Sequence, residues 1–163
     1  DIPAAEHQQR FEAQALNRFQ ALSLDLAIPD ERRHSAPLAD LTHYPLDDAE
    51  DLSDQTHVVL GWLLGPITDP LATLRAHSLS DVLLDNSSSP LRNALETSEL
   101  GAAPSPLCGF DTATREATFV CGLEGSNPEH AEAVEALVLQ VLHQVAADGV
   151  PQEAVDAALH QLE

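Results

Sequence analysis

Glu116-Ala117-Thr118-Phe119-Val120-Cys121-Gly122-Leu123 is the stretch whose reading decides the fold. Thr118, Val120 and Gly122 face one way while Phe119, Cys121 and Leu123 face the other, which predicts a strand with two distinct faces. Glu124-Gly125 closes it. Asn127 then stands in the capping position of a helix that carries Pro128 and Glu129 in its first turn. Along that helix Val134, Leu137, Val138, Val141, Leu142 and Val145 form the cleanest amphipathic stripe in the chain, and Gly149 stops it. Leu107 to Asp111 supplies an antiparallel partner strand across the turn at Thr114-Arg115. Antiparallel strands with long one-sided helices packed on one face predict an α+β sandwich.

Upstream, Thr56 to Leu64 (THVVLGWLL) is a β-rich apolar run ending at Gly65-Pro66, and its continuity predicts a strand covered on both faces. Asp69 caps a helix with Pro70 in its first turn. Ala72, Ala76, Leu79 and Leu83, widened by Leu71, Leu74 and Val82, predict that this helix is well buried up to its end at Asp85-Asn86. The next stretch, Ser87 to Gly101, reads as a turn, a short helix opened by Pro90 and capped by a preceding serine, and a glycine stop. Arg92 is expected to pair with Glu96 one turn on.

Toward the beginning, Pro3 to about Leu22 reads as a helix with Phe11, Ala15, Phe19 and Leu22 at helical spacing. Residues 23–55 have no sustained period. Pro29, Pro37 and Pro45 interrupt them, and Asp47-Asp48-Ala49-Glu50-Asp51 is an acidic run. A loop this long is unusual inside a compact domain. It reads as an interdomain connection or a strap across a surface, held by Leu38, Leu41, Tyr44 and Leu46, with an edge strand in part of it. At the other end, Pro151 opens a last helix that runs to Glu163. Both ends read as if cut from a longer architecture.

The charge balance narrows the function classes. Asp and Glu number 27 against seven basic residues, for a formal net charge of −20. All seven are arginine. Such a chain repels a nucleic-acid backbone. Two readings of the acidity stay open: a solvated surface that serves solubility, or a wall that attracts cationic peptides. No apolar run is long enough to cross a bilayer. The compartment is left open between cytoplasm and periplasm, with a lean to the cytoplasm. Cys108 and Cys121 lie on neighbouring strands, where a cross-strand pair is geometrically possible and two buried free thiols are the preferred reading.

The search for chemistry returns no catalytic, cofactor-binding or metal-ligating residue. His7, His143 and His160 are each followed by glutamine, and no histidine pair sits one helical turn apart with a carboxylate aimed at the same point. His130 with Glu135, and His160 with Glu163, read as exposed helix residues. Ser87 to Ser89 has the setting of a cap and not of a nucleophile elbow. Gly61, Gly65 and Gly101 are scattered, and Gly122-Leu-Glu-Gly125 lacks a following lysine, so no phosphate loop is present.

One ordered series goes further than any single motif. Gly61-Trp62-Leu63-Leu64, Leu79-Ser-Asp-Val-Leu-Leu84, Ser89-Pro90-Leu91-Arg92-Asn-Ala-Leu-Glu96 and Leu100-Gly101 come first. Gly109-Phe110-Asp111, Arg115-Glu116-Ala-Thr-Phe119-Val-Cys-Gly-Leu-Glu-Gly125 and Leu159-His-Gln-Leu-Glu163 complete it. This order resembles the second, non-catalytic domain of the presequence-protease branch of the pitrilysin/insulinase zinc metallopeptidases. The resemblance implies residues 1–22 as the last helix of a preceding catalytic domain, 23–55 as the interdomain connection, and 56–163 as the non-catalytic αβ domain, truncated at its C-terminal end. It also implies zinc ligands and a catalytic glutamate in a first domain outside this chain, and hence no cofactor within it. Its partners would be other domains of the same polypeptide and the peptide substrates enclosed with them. The absence of lysine and the heavy acidity depart from the family and leave its substrate preference open. A free-standing scaffold domain of the same fold is the alternative. An unrelated acidic interaction domain is a third, favoured only if the strand–hairpin–long-helix order is missing. Faces that meet neighbouring domains, around the first helix and the connection, are expected to drive self-association of the isolated chain.

Overall fold

The computed structural model describes residues 2–23, 27–47 and 51–162. The chain divides into two compact units, residues 1–30 and 31–163. In the first, α1 (Ala4–Gln14) is followed by one 3₁₀ turn, Leu16–Arg18. The helix is therefore shorter than its apolar spacing predicts. None of its residues is buried, and Phe11, Phe19 and Leu22 all face solvent. A helix with no packed face gains little beyond its backbone bonds, so nothing sustains it past the second or third turn. It ends in a tightened turn, with the Asn17 side chain donating to the Ala13 carbonyl at 2.5 Å.

The second unit is built on four antiparallel strands: β1 (Thr56–Pro66), β2 (Ala103–Pro104), β3 (Gly109–Asp111) and β4 (Glu116–Ser126). β4 is the hub. It pairs with β1 along one edge and with β3 and β2, one after the other, along the opposite edge. The helices are α2 (Pro70–Leu84), α3 (Pro90–Glu96), α4 (Ala131–Asp148) and α5 (Gln152–Leu162). This is the expected α+β arrangement, with strand, hairpin and long helix in the expected order.

Alternation along β1 and β4 sets which face meets the helices. In register, Val58 lies opposite Leu123, Leu60 opposite Cys121, and Trp62 opposite Phe119. These six side chains face Leu83 and Leu84 of α2, Leu91 and Leu95 of α3, and Val134 and Val138 of α4. The Trp62 and Phe119 rings meet at 5.9 Å in a tilted cross-strand pair. α5 packs on α2. The other face of β1 is not covered as the continuous run predicts: Val59 is 42% exposed. α2, α3 and α4 all lie on one side, so the alternate residues of β1 have no layer above them.

Local chemistry explains most boundaries. Asp69 Oδ1 accepts from the Leu71 and Ala72 amides at 3.1 and 3.0 Å, and Pro70 fills the first position of α2, as expected. The expected burial of α2 holds only at its C-terminal end, where Ser80, Val82, Leu83 and Leu84 are buried; Leu71, Leu74 and Leu79 stand in solvent. α4 ends at Gly149, with φ +77° and its amide bonded to the Val145 carbonyl, which is the expected glycine stop. The cap expected of Asn127 is not made. A 3₁₀ turn, Pro128–His130, leads into α4, and the Asn127 side chain is bonded elsewhere, to Asp54.

Among the described residues no single helix is long and apolar enough to cross a membrane. None of those between β1 and the 3₁₀ turn at Leu16–Arg18 forms a strand, so the edge strand expected there is not found among the described residues. Positions 48–50 of the acidic run, and Glu163, to which the last helix is expected to run, lie outside the described residues.

Candidate functional site

Three places in the second unit concentrate polar chemistry. The first is the joint between α2 and the hairpin. Asn86 turns the chain by accepting from the Ser88 amide and hydroxyl at 2.9 Å each, while its own amide donates to Ser89 Oγ at 3.4 Å. Ser89 thus occupies the cap position of α3 without capping it, and its buried hydroxyl braces the turn. Arg92 Nε donates to Glu96 Oε1 at 2.6 Å, the expected pair, and this bond holds the Glu96 carboxyl below its usual range. Gly101 does not end α3, which stops at Glu96, and it is not left-handed. Its role is close approach: a Cβ there would stand 2.9 Å from the Glu124 carbonyl and from Leu123 Cβ. Ala102 donates to that carbonyl at 2.9 Å, and the Leu100 carbonyl accepts from Ser126 Oγ at 2.5 Å. The stretch is a structural joint clamped to β4.

The second place is a shallow cleft of about 200 Å³ whose lining includes His77, Asp81, Asp85, Cys108 and Phe110. His77 stacks on Phe110 at 5.8 Å and lies 3.8 Å from Asp81 Oδ2. Cys108 would be its nucleophile, yet its environment favours the neutral thiol. Burial pushes its pKa up, and Sγ donates to the Gly122 carbonyl at 3.5 Å. Cys121 behind it is pushed up to about 12, first by burial and then by the neighbouring Cys108. Both cysteines are free, as preferred from the sequence. A thiol that resists ionisation is a packing group, so this cleft lacks an activated nucleophile.

The third place is the strap, residues 31–55. Here sequence reasoning missed the residue that matters. Glu116, only 5% exposed, receives the Glu31 amide at 2.6 Å and Arg33 Nη2 at 2.5 Å. The Arg33 bond, followed by the Glu31 amide, holds the Glu116 carboxyl below the usual glutamate range. At the other end the Tyr44 hydroxyl donates to the Gln55 carbonyl, and its ring meets His57 edge-on at 5.5 Å. Asp54 and Asn127 exchange two bonds, of 2.9 and 2.7 Å. Leu38 and Leu41, expected to hold the strap, are 72% and 68% exposed. A cleft of about 240 Å³ lies between Tyr44, Asp54, His57 and Glu124. The Asp54 carboxylate there is already engaged by the Asn127 amide.

Histidine placement follows the same pattern. His130 Nδ1 lies 3.1 Å from the Leu100 carbonyl, so a proton on that nitrogen ties α4 to the joint. Among the described residues no group of three His, Cys, Asp or Glu side chains is placed to hold a metal ion.

Neither the joint nor the two free thiols assigns a chemistry to the chain, and family membership is the route to function. Residues 4–162 match the family described as the peptidase M16 inactive domain. The chain belongs to this family. It is 32% identical over 164 residues to the mitochondrial presequence protease of Xenopus tropicalis and 30% identical over 164 residues to that of Danio rerio. Each of these alignments covers 100% of this chain and 16% of the relative. With the mitochondrial presequence protease of Mus musculus the identity is 32% over 158 residues, covering 96% of this chain and 15% of the relative. The resemblance carried by the ordered segments is thereby established, and the unrelated acidic interaction domain is set aside.

Proposed function

We propose that this chain is the non-catalytic domain of a larger zinc-dependent peptide-degrading metallopeptidase, packed beside the catalytic domain as part of the wall of a closed chamber. The observation that carries this reading is the match of residues 4–162 to an inactive peptidase domain, aligned with a small part of much longer presequence proteases. Within it, residues 1–22 serve as the last helix of the preceding domain, 23–55 as the connection and 56–163 as the domain proper. The exposed Phe11, Phe19 and Leu22 then meet neighbouring domains, and in the isolated chain they favour self-association. The formal charge of −20 gives the wall a field that draws cationic peptides and weakens as salt rises.

The test has two parts. The coding sequence around this segment should contain an inverted His-x-x-Glu-His motif upstream, and the longer polypeptide should cleave extended peptides in a chelator-sensitive way. The 163-residue chain alone should not. An upstream sequence without that motif overturns the reading in favour of the scaffold alternative. Capture of cationic peptides by the longer protein that is insensitive to ionic strength overturns the steering role.

A further inference from the structure

β1 is the longest unprotected feature of the second unit. It lies at the end of the strand order, paired with β4 on one side and with no described residue on the other. Proteins disarm such edges with charge, proline, bulges or a covering element, because a row of free amides and carbonyls templates another strand. β1 has bulges only near its ends, between Thr56 and Val58 and between Leu63 and Pro66. From Val58 to Leu63 the ladder is regular and carries no charged residue.

The core is open on the same side. Leu123 and Cys121 of β4 are fully buried, while Val58 and Leu60, their partners on β1, are only half-buried. Trp62 is half-buried as well, though it faces the helices with them. A β1 at the natural rim of a finished sheet would present polar or charged side chains there. Instead it presents the inner half of an apolar core.

We propose that the open edge of β1 is a strand-docking site, filled by an extended segment of the same longer polypeptide with apolar residues at alternate positions. The added strand would continue the layer of Val58, Leu60 and Trp62 and satisfy the free backbone groups from Val58 to Leu63. A second copy of this chain is the poorer occupant, since two chains of charge −20 repel. The longer polypeptide is the natural source: relatives of which this chain covers 16% carry most of their sequence outside it. The inference rests on the reading of the chain as part of such a polypeptide.

Amide hydrogen exchange, followed by mass spectrometry on segments covering β1 and β4, tests it. In the 163-residue chain about half of the β1 amides, those turned from β4, should exchange fast while β4 stays protected. In the longer polypeptide the fast half should slow by about a hundredfold or more. An unchanged fast half in the longer polypeptide overturns the proposal, whatever its peptidase activity. So does protection of β1 in the short chain at every concentration. Protection that appears only as the short chain is concentrated identifies a second copy as the occupant, and also overturns it. Absence of the upstream motif, by contrast, removes the peptidase reading and not the docked strand.

Discussion

The strap and the sheet-and-helix body are held by different forces. The body is fixed by burial: Leu91, Leu95, Leu123, Val134 and Val138 are sealed from solvent between helices and sheet. The strap buries neither Leu38 nor Leu41 and is fixed by a few polar contacts at its ends, chiefly Arg33 and Glu31 on Glu116. Apolar burial is non-directional and sums over many contacts, so it gives a cooperative body. Hydrogen-bonded anchors are local and can release one at a time. The molecule therefore has a region that unfolds as a whole and a region that detaches.

The largest break in this contrast is expected from Leu95→Ala. It empties a sealed site and should lower the stability of the body by about 2–5 kcal/mol, read from the midpoint of a denaturant titration. Gly122→Ala comes next. The new Cβ would stand 2.1 Å from the Val58 carbonyl oxygen, so β1 and β4 must part; a loss of about 1–3 kcal/mol is expected in the same titration. A variant as stable as the parent would show that the two strands approach less closely.

Glu116→Gln sharpens the contrast from the other side. It should speed proteolysis within residues 34–43 while the thermal midpoint of the body moves little. Acid should do the same reversibly. The carboxyl is held low by Arg33, so the anchor is complete above the ordinary glutamate pKa near 4.3 and is lost as pH falls through the lower folded value. Cleavage rates that stay flat from pH 6 down to the acid unfolding of the body, under an acid-tolerant protease, would refute this. The smallest effect belongs to Leu41→Ser, which should change stability by no more than about 0.5 kcal/mol because the side chain already faces water.

What the sequence made legible were elements whose signals are local and agree with each other. Asp69 before Pro70 is an acid cap on a fixed first turn, and Gly149 follows a clean stripe; both act as read. The alternation of Phe119, Cys121 and Leu123 gave the buried face of β4 correctly. Failures came where a residue answers to a distant partner. Ser89 and Asn127 have the chemistry of caps, but Asn86 engages one and Asp54 the other. Gly101 was placed by the approach of β4, and no spacing within its own segment could announce that. Glu116 was missed as an anchor because Glu31 and Arg33 lie more than 80 positions away. Its one local hint is an acid opening a mostly apolar run, residues 117–123. The strap leucines show the converse error: apolar residues in an irregular stretch do not guarantee a surface to bury them.

The hub position of β4 also sets a timetable. Thr56 pairs with Ser126 and Pro66 with Glu116, so β1 leaves the ribosome some fifty to seventy residues before the strand it needs. At ~5–20 residues per second, that is a wait of several seconds with an uncharged apolar ribbon in search of a partner. α2, α3 and the short strands β2 and β3 emerge in the interval, and of these the two helices are what can shield its inner face until β4 arrives. Slowing translation across residues 67–115 should therefore favour misassembly, and a chaperone that holds extended apolar strands should find its target at residues 58–63.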